Sequence, residues 1–357
     1  MPIRPPEGPV YPPFKRRIPE RLFYAVPALM WLLLAIRHCS LTLPSAANPA
    51  LDAGGLWGES KSQGLNLFGP TGQQFLPPFT TIDCHPGTDR LQAAEAALAA
   101  SAMAFPVVGK PDRGYQGWGV RLLNSTADLA DYLSRQPDGA RVMLQALIDM
   151  PGEAGIFYIR RPDAETGRIV SMAFVYPPHV IGDGRHSVAQ LVAADPILQA
   201  NAAIYRERCP EAWDAILAPD EFHCLTNARS ARLGAVYRDA MDQVTPELEA
   251  VIDQISREIP DFYFGRFDIR FRSVAELQEG RGFRIVELNG AGAEMLHIWA
   301  GGGTLWNAWR ALSRQYRALF AIGAAMRRRG HRPVGLIGMM RLQRQQERLR
   351  RTYPPSS

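Results

Sequence analysis

The chain has 357 residues, enough for two or three modest domains that each bury a core of their own. With 46% hydrophobic and 21% charged residues, its composition is that of a globular protein and excludes a largely disordered chain. The net charge of +5 is concentrated near the C-terminus, where residues 327–351 hold nine arginines and one glutamate. Because the rest of the chain is slightly acidic, a general nucleic-acid-binding surface is excluded and no nucleic-acid partner is expected.

The cysteines and histidines form no metal-binding or redox motif. The four cysteines are scattered without a Cys-x-x-Cys pair, and the seven histidines include no His-x-x-x-His pair. This pattern indicates a reduced, cytoplasmic compartment and no structural metal.

An apolar run at residues 22–36 follows a proline-rich, basic leader and is interrupted by Pro27. A membrane-spanning helix needs about 20 apolar residues, and proline breaks helices, so the run is short for a span. Three interpretations remain open: a buried or interfacial helix of a small N-terminal region, a membrane anchor, or a signal peptide with small residues downstream at 45–47. The first is favoured.

The remaining elements are predicted from turn residues, caps and apolar spacing. Residues 38–80 are rich in turn formers and predict an irregular connection. Ser125 and Ser187 are expected to cap helices, and apolar residues in 246–258 recur with helical spacing. Helices are predicted at about 88–102, 125–134, from 187, through most of 195–260, and from about 304 into the tail. Strands are predicted at 105–110, 142–147, 155–160, 169–175, 267–272 and 283–288.

The first segment with functional character joins a lysine to a glycine-rich turn. The 40 basic residues include only three lysines, which are Lys15, Lys61 and Lys110. A position that keeps an ammonium in such a chain is a candidate for function, because lysine and arginine are not equivalent. Lys110 ends a predicted strand and precedes residues 112–120, where Gly114, Gly117 and Gly119 let backbone N–H groups approach an anion. The turn matches neither Walker A nor Gly-x-Gly-x-x-Gly, and a hairpin loop without a ligand is the alternative.

Two carboxylates and an amide are predicted to meet on a strand pair. Glu287 and Asn289 are two residues apart, so their side chains point to the same face of a strand. An antiparallel neighbour would bring Asp268 opposite them. Such an all-oxygen cluster is the ligand set that Mg²⁺ prefers when phosphates complete its shell. An exposed polar strand face is the alternative, although the neighbouring residues in both strands are apolar.

Together these segments resemble the ATP-grasp superfamily. Strand 105–110 and its glycine loop resemble that family's phosphate-binding lysine and flexible loop, and residues 142–148 resemble the hinge strand whose backbone holds adenine. Residues 265–270 and 285–290 resemble the two metal-binding strands of D-alanine–D-alanine ligase.

A further segment, 180–188, resembles the Val-Gly-Asp-Gly segment of cyanophycin synthetase and related amino-acid ligases. The resemblance covers roughly residues 100–300. The N-terminal part is shorter than the α/β domain that usually precedes the fold, and the stretch 195–245 is longer than a minimal core. Both departures fall where such enzymes bind their acceptors, so the resemblance implies no particular substrate.

The resemblance implies an α/β (α+β) ATP-grasp fold, in which two lobes with antiparallel sheets and helices hold ATP between them after a short helical and loop-rich N-terminal region. The expected divisions are an N-terminal region at 1–87, an ATP-grasp domain at 88–326 with lobes at 88–150 and 151–326 and a helical insert at about 195–260, and an Arg-rich tail at 327–357.

The implied activity is amide formation between a small-molecule carboxylate and an amine through an acyl phosphate, with ATP converted to ADP. The implied ATP-binding residues are Lys110, Gly114, Gly117, Gly119, Gln145, Ile148 and Glu153, the last in the place of a ribose-binding acid. Asp268, Glu287 and Asn289 would hold two Mg²⁺ ions, with Mn²⁺ as an alternative, and Arg266 would stabilise the anionic intermediate. A phosphotransferase acting on a hydroxyl or sugar and a membrane-associated nucleotide-binding module without catalysis are the rival interpretations.

Several residues and segments carry weaker expectations. Arg160 is a secondary phosphate candidate or an ordinary surface arginine, Lys61 is a candidate contact to the nucleotide or an anionic acceptor, and His297 is a packed histidine or lines the acceptor site. Apolar residues recur among arginines in 333–351, which predicts a solvated terminal helix, or a segment that docks a partner or lies on an anionic membrane. Lipid contact by both this tail and 22–36 would make the protein membrane-associated, and a homodimer is also left open.

Overall fold

The computed structural model describes residues 18–114, 117–226, 229, 233–301 and 303–353. The basic leader therefore lies outside the described residues. The strands within these ranges are β1 (Phe79–Cys84), β2 (Val107–Pro111), β3 (Arg121–Leu123), β4 (Ala140–Ala146), β5 (Gly152–Ile159), β6 (Arg168–Tyr176), β7 (His179–Ile181), β8 (Phe222–Cys224), β9 (Val236–Asp239), β10 (Phe264–Phe271) and β11 (Phe283–Asn289). The helices are α1 (Glu20–Arg37), α2 (Lys61–Asn66), α3 (Pro70–Gln73), α4 (Arg90–Ala100), α5 (Thr126–Ser134), α6 (Val188–Ala194), α7 (Pro196–Gln199), α8 (Ala202–Arg208), α9 (Pro246–Glu258), α10 (Val274–Gln278), α11 (Leu305–Arg328) and α12 (Leu336–Thr352).

The first lobe is a four-stranded antiparallel sheet in the order β1-β4-β2-β3. Helices α4 and α5 cover one of its faces, where Leu98, Leu129 and Tyr132 pack against Val107 and Val142. Strand β1 pairs with β4 along its whole length, so this sheet begins before residue 88, where the sequence suggested that the lobe starts.

The second lobe is a five-stranded antiparallel sheet in the order β11-β10-β5-β6-β9. Successive side chains of a strand point to opposite faces, so the sheet has two cores. Ile156 packs with Ile252 and Ile255 of α9 on one face, whereas the adjacent Phe157 packs with Leu312 of α11 on the other. The α/β class with two antiparallel sheets, predicted from the sequence, is confirmed.

Local signals placed several helices correctly. Ser125 and Ser187 accept hydrogen bonds from the backbone N–H groups of the first turns of α5 and α6, as predicted for caps. The prediction of a mostly helical stretch at 195–260 is correct for α7, α8 and α9 and wrong for β8 and β9. Strand β8 pairs with β7, and β9 pairs with β6. These partners are distant along the chain, so local residue spacing does not reveal the pairing.

The N-terminal apolar run forms α1, and the tail forms α12. Phe23 and Ala35 on the inner face of α1 are buried in clusters shared with α11, so the run is a helix packed on the protein along one face. No helix in the described ranges combines the length and apolar character needed to cross a bilayer. Near its C-terminal end, the α12 segment places Leu349 and Tyr353 against the core of the first lobe.

Candidate functional site

A cleft of 1390 Å³ is lined by residues of both sheets and of the N-terminal segment. The first sheet contributes Lys110 on β2 and Gln145 on β4, and the second contributes Asp268 on β10 and Glu287 on β11. Lys61, at the start of α2, also lines the cleft. Tertiary folding therefore brings both predicted groups of residues, the early lysine and the late acids, into one cavity.

Alternation along β10 explains why its polar residues face the cleft. Phe267 and Ile269 are fully buried in the core beneath the sheet, beside α9. The intervening residues Arg266, Asp268 and Arg270 are partly buried and line the cleft on the opposite face. One strand thus supplies both the hydrophobic support of the site and its charged wall.

The predicted pairing of the acidic strands is confirmed, and it contains an irregularity. Asp268 pairs with Glu287, but the next residue, Ile269, pairs with Ile285, so Val286 is an extra residue on β11. This bulge keeps Ile285 in the core while Glu287 lies beside Asp268 on the cleft face. It also leaves the Val286 carbonyl available to groups from the other lobe.

Asp268 is held by two neighbours on the same face. Arg266 donates to both of its oxygens, from Nε at 2.5 Å and from Nη2 at 2.9 Å, and the Asn289 amide donates to Oδ2 at 2.9 Å. The remaining terminal nitrogen of Arg266 donates to the Glu294 carbonyl at 3.0 Å. Burial by itself would lower the pKa of Arg266. The Asp268 carboxylate outweighs this effect, so the pKa of Arg266 lies above its ordinary value. Arg266 is therefore a fixed, permanent cation in the cleft.

Lys110 crosses between the lobes. Its Nζ donates to Gln145 Oε1 at 3.0 Å and to the Val286 carbonyl, across the cleft, at 3.3 Å. Burial lowers the pKa of Lys110 to about 8, and the nearby ammonium of Lys61 acts in the same direction against the attraction of Glu287. The ammonium is thus poorly solvated and has its charge available for an anionic ligand.

Lys61 contacts both the acidic strand and the glycine loop. Its Nζ lies 3.3 Å from Glu287 Oε1 and donates to the Gly114 carbonyl at 2.7 Å. Although burial would raise the pKa of Glu287, Lys61 and then Lys110 outweigh it and hold that pKa below its ordinary value. Glu287 therefore remains an ionised oxygen ligand.

Glu59 is a site residue that the sequence reasoning missed. Its Oε2 accepts a hydrogen bond from the Gly290 N–H at 3.1 Å. Gly290 directly follows β11, so the Glu59 carboxylate lies at the end of the strand that carries Glu287 and Asn289. Burial, and then the charge of Glu287, raise the pKa of Glu59 to about 8. The only signal in the sequence was its position two residues before Lys61 in a Gly-Glu-Ser-Lys-Ser segment.

The glycine loop is only partly directed to the cleft. Gly114 and Gly117 line it, and Gly117 has a φ of +72°, which favours glycine. Gly119 instead faces Pro111, whose ring would lie 2.7 Å from an added Cβ. Residues 115–116 lie outside the described ranges, so the predicted contact of the whole loop with phosphate remains a prediction.

The predicted adenine and ribose residues all line the cleft. Gln145 and Ile148 line it, as does Glu153. Glu153 Oε2 lies 3.3 Å from Arg270 and 3.5 Å from Arg229, a residue that sequence reasoning did not identify. Burial raises the pKa of Glu153, while the two arginines oppose this effect. Glu153 is therefore part of a buried ion-pair group at the cleft wall.

Two weaker candidates lie away from the cleft. Arg160 follows β5 and stacks over the Tyr263 ring, with 4.6 Å between the guanidinium carbon and the ring centroid, and it is not among the residues that line the cleft. His297 is packed against β6, where its Nδ1 lies 2.6 Å from Ser171 Oγ, and burial lowers its pKa. The structure does not bring either residue to the acids.

The oxygen atoms on β10 and β11 fit a divalent cation that also binds phosphate. Within the described ranges, no group of three or more His, Cys, Asp or Glu side chains is placed so that it could hold a metal ion by itself. Mg²⁺ is commonly bound by one or two carboxylates while waters and phosphates complete its shell, so a complete cage is not required. Asp268, Glu287 and Asn289 provide two carboxylates and an amide oxygen on one face, which satisfies this requirement.

The chain matches no protein-family model, and no curated protein sequence matches it. Several solved structures do match. A bifunctional glutathione synthetase from Pasteurella multocida is 19% identical over 71% of this chain and 35% of its own, with a TM-score of 0.40. The VanG D-Ala:D-Ser ligase from Enterococcus faecalis is 13% identical over 74% of this chain and 64% of its own, with a TM-score of 0.41.

The ATP-grasp ligase PsnB, complexed with its minimal precursor, is 14% identical over 72% of this chain and 59% of its own, with a TM-score of 0.36. The chain thus spans about a third of the length of the glutathione synthetase and less than two thirds of the other two ligases. PsnB is described as an ATP-grasp ligase, which is the superfamily that the sequence motifs resemble.

Proposed function

We propose that this protein is an ATP-dependent ligase that joins a carboxylate to an amine and releases ADP. The observation that supports this most directly is the convergence of Lys110 from one lobe with Arg266, Asp268, Glu287 and Asn289 from the other in a single cleft. Such a set can bind a polyphosphate together with its cation and can stabilise negative charge that develops beside it.

In this proposal, ATP lies between the lobes. Gln145 and Ile148 flank the adenine, and the ammonium of Lys110 binds the α- and β-phosphates. Gly114 and Gly117 allow the loop backbone to approach the γ-phosphate and exclude water from it. Arg160 and Gly119, which do not line the cleft, are not part of the proposed site.

Asp268, Glu287 and Asn289 are the residues that would hold two Mg²⁺ ions, or Mn²⁺ ions, since both prefer oxygen ligands. A cation held by these residues would neutralise charge on the phosphates during transfer. Arg266 and Asn289 position the Asp268 carboxylate through hydrogen bonds to its two oxygens.

The proposed chemistry has two steps. The substrate carboxylate attacks the γ-phosphorus, so that an acyl phosphate forms and the bond to the β-phosphate oxygen breaks, leaving ADP. The amine then attacks the acyl carbon, inorganic phosphate leaves, and the amine loses a proton. Arg266 stabilises the oxyanion in the second step, because its position is fixed by Asp268 and the Glu294 carbonyl and its charge is permanent.

The amine is proposed to enter from the side of Glu294. This carboxylate lines the cleft and accepts from Tyr24 Oη at 2.9 Å and from Trp299 Nε1 at 3.1 Å. The backbone carbonyl of the same residue accepts from Arg266. Tyr24 and Trp299 orient the carboxylate through these two hydrogen bonds, and an oriented carboxylate can accept hydrogen bonds from an ammonium. An aromatic wall beside it favours the same kind of ligand.

The test is ADP release with Mg²⁺-ATP, screened against amino acids and other small carboxylates with and without hydroxylamine. A hydroxamate establishes the acyl phosphate, whereas a phosphorylated hydroxyl would refute the ligase proposal in favour of a phosphotransferase. Asp268→Ala and Glu287→Ala are each expected to lower ADP release at least ~100-fold, as for the loss of other charge-stabilising groups. Asp163→Asn, an exposed carboxylate in the turn between β5 and β6, is the matched control. Unchanged release in the first two variants contradicts the metal assignment.

A further inference from the structure

The outer face of α1 is apolar and exposed. Its large aliphatic side chains have exposed fractions between 50% and 66%; they are Leu22, Leu29, Leu32, Leu33 and Ile36. Spacings of seven, four and three residues place most of them on one side of the helix. The opposite side is buried, as Phe23 and Ala35 show. One face of the helix therefore packs on the protein, and the other face is exposed among the described residues.

Helix α11 runs beside α1 in the same direction. At one end Trp309 Nε1 donates to the Phe23 carbonyl at 3.0 Å, and in the middle the Trp31 ring meets Phe320 edge-on at 5.1 Å. At the other end Arg327 Nη1 donates to the carbonyl of the residue that follows α1, at 3.0 Å. These contacts fix α1 beside α11 along its length.

That exposed side of α11 is basic. Arg310, Arg314, Arg317 and Arg328 are all exposed, and their spacing of four, three and eleven residues places them on one face. Helix α11 contains no Asp or Glu from end to end, and Trp306 near its start is 69% exposed. Helix α1 thus exposes leucines, and the neighbouring helix α11 exposes arginines.

The charge decides which occupant fits this surface. A second copy of the chain would place two rows of arginines against each other as it buried the leucines, and like charges at an interface cost free energy. A membrane that contains anionic phospholipid accepts both features, because its acyl boundary buries the leucines and its headgroups attract the arginines. Large exposed apolar areas bordered by polar residues mark binding surfaces of this kind.

We propose that α1 and α11 form an interfacial membrane-binding surface specific for anionic phospholipid. Helix α1 lies in the plane of the interface with its leucine face in the acyl boundary, while the α11 arginines contact phosphate headgroups. Tyr24 of α1 lines the cleft, so the surface lies next to the Glu294 side of the site. The proposal does not depend on the reaction that the cleft performs.

The experiment is flotation of the full-length protein with vesicles of phosphatidylcholine alone or of phosphatidylcholine with phosphatidylglycerol. The wild type is expected to float with the anionic vesicles and to bind several-fold less at high salt, because surface charges are screened. Leu29→Glu combined with Leu33→Glu should lower the partition coefficient at least ~10-fold. Each of Arg310→Gln and Arg314→Gln should lower it about fivefold on anionic vesicles.

Matched controls use exposed residues outside α1 and α11. Ile216→Glu, at an isoleucine that is 61% exposed, and Arg135→Gln, at an arginine after α5 that is 57% exposed, should leave flotation unchanged. Circular dichroism and the thermal midpoint establish that each variant is folded.

Flotation that is absent in the wild type, or equal on the two vesicle types, overturns the proposal. So does full flotation of the folded Leu29→Glu/Leu33→Glu variant. Light scattering provides the remaining outcome: a dimeric wild type that becomes monomeric in this variant, without vesicle binding, identifies the face as an interface between two copies and also overturns the proposal.

Discussion

Glu59 makes the stability of the metal-free protein depend on pH in a direction that is unusual for a carboxylate. Burial and the charge of Glu287 raise its pKa to about 8 in the folded chain, from an ordinary value of 4.5. Between these two values the unfolded chain has lost this proton and the folded chain has kept it. The folded state then binds more protons, so the free energy of unfolding falls as the pH rises.

The magnitude follows from the two pKa values. Each pKa unit is worth about 1.4 kcal/mol, so ionisation of Glu59 in the unfolded state lowers the free energy of unfolding by roughly 4–5 kcal/mol once the pH exceeds 8. The contribution of protonated Glu59 to the free energy of unfolding is fully present below pH 4.5 and is lost as the pH rises from 4.5 to 8. Glu59→Gln removes this dependence, and the variant should be more stable than the wild type by an amount that grows with pH.

The assay is urea unfolding in the presence of EDTA at closely spaced pH values from 5 to 9, comparing the wild type with Glu59→Gln. In a Glu287→Gln background the difference should shrink, because the charge that raises the pKa of Glu59 is gone. Glu95→Gln, an exposed position on α4, should show no such trend. A stability difference between the wild type and Glu59→Gln that stays constant from pH 5 to 9 would refute this account of Glu59.

Three further predictions concern activity. The pKa of Lys110 is lowered to about 8 by burial, so kcat/KM for ATP should fall above pH 8, and Lys110→Arg, which keeps its charge, should shift that decline upward. Lys61→Met removes the cation 3.3 Å from Glu287 and should shift the acidic limb of the kcat/KM profile for Mg²⁺-ATP to higher pH. Glu294→Gln should raise KM for the amine about 10-fold with little change in KM for ATP, as measured by ADP release. A flat profile in the first case, or equal KM changes in the third, would contradict the assigned roles.

The sequence alone was informative wherever a local rule applies. Ser125 and Ser187 could be recognised as caps because the capping bond joins residues three apart. The common face of Glu287 and Asn289 followed from the two-residue period of a strand, and an antiparallel neighbour was expected to bring Asp268 opposite them. The same reasoning failed for β8 and β9, since their pairing partners lie elsewhere in the chain and local spacing does not reveal them.

Patterns in the sequence were enough to predict the two-sheet class, most helices and strands, and Lys110 and the acidic strand pair as candidate site residues. The folded chain was needed to show that Val286 forms a bulge, that Lys61 and Glu59 enter the cleft, and that Arg160 does not. The bulge depends on which residues of both strands pack into the core. The placement of the N-terminal segment depends on contacts of Lys61 and Glu59 with residues more than 200 positions away in the chain. Such contacts arise from packing and charge between segments that are distant in sequence, so they become visible only when the chain is folded.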